Sequence, residues 1–242
     1  FDLTPVVPNV DTSLSGYVGA FKWGPVDVPT IVQTEEQLAS VFGVPDEERA
    51  VDYFSAAQFL RYSGNLIVNR TIPVGVVTDS ALNATSGGGG ILVKNEEHFE
   101  SQVINDMFIA KYPGLIGSSI KVAVFAIESG ESAESANTIT SWNEWEYADK
   151  FDAIPGTSEW AKNQPGTVLN DETHIAIVDA NGLISGTKNT VLETFSYVSV
   201  AKGAKTVDGG ENFFKNVLNG FSNFVWMSEF DSVHMVNGFY WG

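Results

Sequence analysis

The sequence predicts a mixed α/β chain of two units, and three observations carry that prediction. Short β-branched runs such as Leu66-Ile67-Val68 and Ile120 to Ile127 read as strands. Between and after them lie stretches of helical spacing with capping signals. A stretch from Pro73 to Gly90, dominated by small and polar residues and closed by four glycines, separates the two mixed halves.

In the first half, residues 14–23 read as a glycine-containing strand, with a turn at Gly24-Pro25 and a second short strand around Thr30 to Val32. Thr34 and Gln37 have capping-box spacing, so each side chain can satisfy a backbone N–H near the other, and Gly43 suits the stop. Ala50, Tyr53, Phe54, Ala57 and Leu60 form an apolar stripe at helical spacing, ended by Gly64 and followed by the strand at Leu66. The composition from Pro73 to Gly90 buries too little surface to order itself, and predicts a linker.

In the second half, Ile91-Leu92-Val93 and a helix-like stretch near His98 to Ile104 precede a turn at Tyr112-Pro113-Gly114. The strand from Ile120 to Ile127 places Ile120, Val122 and Val124 on one face and Lys121, Ala123 and Phe125 on the other. Residues 129–172 are polar around Trp142, Trp145, Tyr147, Phe151 and Trp160, and predict an irregular excursion. Asn181-Gly182, between apolar stretches at His174 to Val178 and Val191 to Val200, predicts a two-residue type I′ hairpin turn. Phe213, Phe214, Val217 and Leu218 make a helical stripe with Gly220 as its stop, and Phe224 to Met227 a last strand.

Composition narrows the function. With 30 acidic against 13 basic residues the formal net charge is -17, which opposes contact with phosphate backbones, so no direct nucleic-acid partner is expected. There is no cysteine, which excludes disulfides, thiolate catalysis and thiolate metal sites and fits assembly in a reducing cytoplasm. No apolar run approaches the roughly 18 to 20 residues of a membrane span, so no membrane insertion is expected. The first residue is Phe1 and the last are Trp241-Gly242, after an apolar aromatic run, which reads as a fragment.

Candidate chemistry is sparse. His98, His174 and His234 lie far apart without metal-ligand spacing, so they read as structural or surface residues and no metal site is assigned. Glu144 and Glu146 beside Trp142 and Trp145 have the residue types of a sugar site, paired carboxylates with aromatic platforms, and raise a carbohydrate-binding reading of residues 142–160. Two carboxylates in a polar stretch are also expected by chance in so acidic a chain. Gly87 to Gly90 lacks the Lys-Ser or Lys-Thr of a phosphate loop. No Gly-x-Ser-x-Gly elbow or Gly-x-Gly-x-x-Gly loop is present, so no catalytic or cofactor-binding residue is assigned, no cofactor is expected, and the chain reads as no enzyme.

Six stretches carry a resemblance. GYVGAFKWGP from Gly16, TEEQLASVFGVP from Thr34 and AVDYFSAAQFLRYSGNLIVNR from Ala50 resemble the start of the contractile-tail sheath proteins of T-even-like bacteriophages. AKYPGLIGSSIKVAVF from Ala110 resembles their segment in which a Tyr-Pro-Gly turn and a second glycine lead into a core strand, and VLETFSYVS from Val191 with FFKNVLNGFSNFV from Phe213 resembles a pattern of contractile sheaths generally, beyond the T-even type. The resemblance implies that residues 1–72 are the N-terminal part of a sheath core domain completed by a later region. It implies a linker at 73–90, where larger relatives insert a protruding domain, and an outer α+β domain at 91–242. It also implies a structural virion protein of the phage tail, assembled in the host cytoplasm. Subunits would form hexameric rings stacked helically around the tail tube, contracting to drive the tube through the host envelope for genome ejection. Implied partners are other sheath subunits, the tube protein, and the baseplate and tail terminator proteins. The sheath of a related contractile injection or type VI secretion system is the neighbouring alternative.

Overall fold

The computed structural model describes residues 14–72, 82–88, 90–128, 130–165 and 170–228. The chain divides into two compact units, Phe1–Val76 and Val77–Gly242.

The first unit has the element order β1 (Ser15–Gly19), β2 (Thr30–Val32), α1 (Glu35–Phe42), α2 (Ala50–Leu60) and β3 (Leu66–Arg70). Its sheet has the order β1-β3-β2, with β1 parallel and β2 antiparallel to the central β3. The cap of α1 forms as its spacing predicts: Thr34 accepts from Gln37 N at 3.1 Å, while the Gln37 side chain accepts from Gln33 N at 2.8 Å, one residue before the cap. Gly43 caps α1 at φ 77° and ψ 161°, a positive-φ conformation open to glycine but not the left-handed helical stop the spacing predicts.

Helix α2 spans the predicted stripe from Ala50 to Leu60, but it is capped at Arg61 rather than ended by Gly64, and its face is rotated. Tyr53, Ala56 and Ala57 are buried, whereas Phe54 is 57% exposed. Two small alanines let α2 approach the sheet closely, and the aromatic ring predicted to face the core turns outward instead. Arg70, at the end of β3, donates from Nε to Phe21 O at 2.9 Å and from a terminal nitrogen to Gly24 O at 2.7 Å, fixing the turn after β1.

The second unit holds α3 (Glu96–Ser101), β4 (Phe108–Ala110), β5 (Ile120–Ala126), α4 (Ala136–Glu144), α5 (Glu159–Lys162), β6 (Glu172–Asp179), β7 (Thr190–Ser199), α6 (Phe214–Phe221) and β8 (Val225–Met227). A three-stranded antiparallel sheet β5-β6-β7 lies beside an antiparallel pair β4-β8. The two faces of β5 separate as the alternation predicts. Val122 joins a core with Ile175, Ile177, Phe214 and Leu218, while Ala123 and Phe125 join a second core with Trp145, Tyr147 and Phe151. Strand β6 is buried from Thr173 to Asp179 because both faces are covered.

Four expectations change here. Residues 129–172 are no loose excursion over their described part: α4 brings Trp142 to 5.0 Å and Trp145 to 5.4 Å from Phe125, and Phe151 stacks on Trp145 at 5.3 Å. The aromatics are a core layer whose helical and post-helical members share no single period, which hid them among polar residues.

Part of the expected linker is equally ordered. Asn83, fully buried, pairs by backbone with Ile91. Its amide donates to Val93 O at 2.9 Å and Ala110 O at 2.8 Å and accepts from Val93 N at 2.7 Å. One side chain supplies what apolar burial does not. A Cβ on Gly87 would meet Asp106 Oδ1 at 2.1 Å, so a larger residue there requires that carboxylate to move.

The third change is the hairpin. β6 and β7 pair in antiparallel register from Asp179↔Thr190 inward, but a ten-residue loop connects them. Gly182 takes a positive φ of 78° and Asn181 does not, so a type I′ turn cannot form. The fourth is Gly220, which lies inside α6 rather than ending it.

Candidate interaction surface

The sheet of the first unit is covered on one face. Tyr17, Val32, Leu66 and Val68 point toward α1 and α2 and their core. The pleat sends the alternate residues to the other side. In the register Gly16↔Ile67↔Ile31 and Val18↔Asn69, this places Val18 and Ile31 on the face away from α1 and α2, which no described element of the first unit covers, beside the half-buried Ile67 and Asn69. Val18 is 68% exposed and Ile31 58%.

Strands β1 and β2 are the two edges of the sheet, each with one row of backbone donors and acceptors unpaired among the described residues. Tyr17 OH donates to Asp52 Oδ1 at 2.8 Å and Ala20 N donates to Asp52 Oδ2 at 2.9 Å, so α2 holds the exit of β1 in place. Burial, and then the Asp52 carboxylate, pushes the Tyr17 phenol up. A sheet face carrying Val18, Ile31 and Ile67 has no reactive group to offer; it can take another apolar surface, and its edges another strand.

The residues with candidate chemistry do not converge. His98 sits in α3, its Nδ1 accepting from Lys94 N at 3.2 Å and its Nε2 beside the Gln102 amide. His174 is buried in β6, and His234 lies outside the described residues. Glu144 and Glu146 are exposed, and Glu146 faces Lys121 at 3.9 Å.

The aromatics between and around them are occupied. Trp145 is 8% exposed, and Trp142 packs edge-on to Phe125, so these two rings belong to a core layer and not to the sugar platform raised as an alternative for 142–160. Burial, with Glu146 adding, pushes the Tyr147 phenol up to about 12, so it stays protonated at neutral pH. A cleft of about 320 Å³ in the second unit, lined by Ala84, Phe108, Ile120 and Val122, carries Lys121 as its single ionisable lining group. Among the described residues no cluster of three or more His, Asp or Glu could hold a metal ion.

Sequence reading missed the open face because it treated Val18 and Ile31 as ordinary strand residues. The signal was there: both are apolar at positions whose pleat neighbours, Tyr17 and Val32, already supply the core.

No family model matches the chain. Three relatives do, and each is a tail sheath protein. That of Salmonella phage ViI is 28% identical over 195 residues, 78% of this chain and 26% of that protein. That of Enterobacteria phage T4 is 30% identical over 106 residues, 44% of this chain and 16% of that protein. That of Vibrio phage KVP40 is 32% identical over 65 residues, 27% of this chain and 10% of that protein. The chain therefore spans about a quarter or less of the relatives it matches. A solved sheath tail protein from Listeria innocua aligns with 90% of this chain and 30% of its own at 12% identity and a TM-score of 0.40. The resemblance drawn from the sequence stands: the chain is similar to phage tail sheath proteins.

Proposed function

We propose that this chain is part of a structural subunit of a phage tail sheath. The observation that carries the reading is the similarity to the sheath protein of phage ViI, spread over 78% of the chain rather than confined to one motif. The subunit polymerises with copies of itself as stacked hexameric rings around a tail tube. It contracts at a baseplate signal and drives the tube through the host envelope. The tube, baseplate and terminator proteins are its further partners, and the virion tail is its location.

Physically, such a machine needs an extended assembly held kinetically above a more stable contracted one, with rigid units reorienting about flexible links. The first unit suits this as a rigid body that presents an apolar face and two strand edges for completion by other parts of the assembly. The second unit, with its polar and acidic exterior, suits the outer layer.

The test is electron microscopy of the full-length protein, with and without Val18→Lys and Ile31→Lys. Long hollow tubes from the parent and dispersed, folded particles from the double variant are expected. Dispersed particles from the parent itself would remove the sheath reading, and tubes from the variant would remove the role given to the sheet face.

A further inference from the structure

His174 sits opposite a bulge. The β6–β7 register pairs Thr173 with Val198 and Ile175 with Phe195, so the single residue His174 faces the two residues Ser196 and Tyr197. Tyr197 has φ 55°, the left-handed region that a bulky side chain avoids unless its surroundings hold it there. Two bonds hold it: Tyr197 N donates to His174 Nδ1 at 3.1 Å, and Tyr197 O accepts from Asn212 Nδ2 at 3.1 Å.

On the other side of the ring, Nε2 lies 2.8 Å from Ala153 O, in the segment that also carries Phe151 of the aromatic layer. Both partners fix the proton. A backbone N–H can only donate, so Nδ1 keeps its lone pair, and a carbonyl can only accept, so Nε2 carries the hydrogen. The ring is fully buried, stacked on Phe151 at 4.3 Å, with the Tyr197 ring edge-on at 4.5 Å.

We propose that His174 is a proton-sensitive latch: neutral, it clamps the β7 bulge to the Phe151–Ala153 segment, and a proton on Nδ1 breaks the clamp and loosens the aromatic layer from the sheet. The added N–H would face the Tyr197 N–H, so the bond there is lost and a cation is left buried. The elements packed on the ring bring Phe125 from β5, Trp142 from α4, Phe151 and Asp152 from the connecting segment, and Tyr197 from β7.

The ionisable groups among these are Asp152 and Tyr197, with Glu172 two residues earlier on His174's own strand. Burial holds the imidazole below its ordinary 6.5, against the opposing pull of the Ala153 carbonyl and the Asp152 carboxylate. Burial pushes the Tyr197 phenol up, so it remains neutral. Glu172 is also pushed up by burial, and so acts in the opposite sense to His174.

The sign follows. The unfolded chain takes the proton first, so the latch contributes fully above about 6.5 and its contribution is lost as pH falls through the ring's lower folded value. That window opens above the ordinary carboxylate values of 3.8 and 4.5.

The 242-residue chain, labelled with ¹⁵N at histidine, gives the direct readout, with His98→Gln and His234→Gln to assign the signals. Urea unfolding of the parent and of His174→Gln at pH 7.5 and 5.5 gives the second. An Nε2–H tautomer titrating below 6.5 is expected. So is a parent that loses up to about tenfold in its folding constant per pH unit relative to His174→Gln. An Nδ1–H tautomer, a ring titrating at or above 6.5, or the same pH slope in parent and variant overturns the proposal. If His174→Gln does not fold, the ring titration of the parent decides alone.

Discussion

Asp179 concentrates more hydrogen bonds than any candidate site residue considered above. Its Oδ1 accepts from Gly182 N at 2.9 Å and Leu183 N at 3.0 Å, and from the Ser119 hydroxyl. Its Oδ2 accepts from Ile184 N at 2.9 Å, Ser185 N at 2.7 Å and Ser185 Oγ at 2.8 Å. Burial pushes the carboxyl up, but these bonds together bring it below its ordinary value. Its contribution is therefore present above about 3.8 and is lost as pH falls through the lower folded value.

Because both oxygens accept from donors, an asparagine in either orientation sets its NH₂ against N–H groups. Asp179→Asn should thus cost about as much as Asp179→Ala, on the order of 3 kcal/mol in urea unfolding at pH 7. A variant within 1 kcal/mol of the parent would show that the loop between β6 and β7 does not depend on this carboxylate. Nothing in the sequence separates Asp179 from the other acidic residues, since its partners belong to a loop whose path is set only after the strands pair.

At the scale of elements, α2 shows how far pattern reaches. Its extent was legible from the apolar spacing, though not its cap at Arg61, and its face was not, because Phe54 and Ala56 lie at opposite edges of the apolar stripe. Volume decided the matter: the space between α2 and β3 admits alanine. Phe54→Glu should then change stability by no more than about 0.5 kcal/mol, while Ala56→Leu should destabilise by about 1–3 kcal/mol through overpacking. Equal losses from both in a denaturant series would mean that the ring of Phe54 is part of the core after all.

Strand β5 was legible on both faces, since its strict alternation is local. The aromatic layer on it was not, because Trp142, Trp145, Tyr147 and Phe151 reach the sheet from a helix and the turn that follows. The ordering of Asn83 depends on carbonyls ten and twenty-seven residues away. Likewise, the open face of the first sheet could be read as two apolar residues on the outward pleat, but its being uncovered is a property of the packed unit.

The whole molecule carries a surplus of seventeen negative charges, and two effects of salt compete over it. Screening weakens the mutual repulsion of carboxylates, which favours the compact state, and it weakens ion pairs, which opposes it. Apart from the partly shielded Arg49–Asp46 pair at 2.6 Å, the exposed ion pairs are weak contributors. Lys150–Asp149, Lys162–Glu159 and Lys205–Glu211 are exposed and close in sequence, and pairs of this kind each contribute about 0–1 kcal/mol. Lys111 spends its charge inside the fold, over the Trp226 ring and against the Ser222 carbonyl, and burial lowers its pKa. Repulsion therefore wins. Raising sodium chloride from about 0.01 to 0.15 M shrinks the screening length from about 30 to about 8 Å. The urea midpoint of the chain should rise across that range, measured at pH 7.5 where His174 is neutral. A midpoint that falls with salt would mean that ion pairs outweigh the surplus charge. The same screening governs how closely copies of so acidic a chain can approach one another.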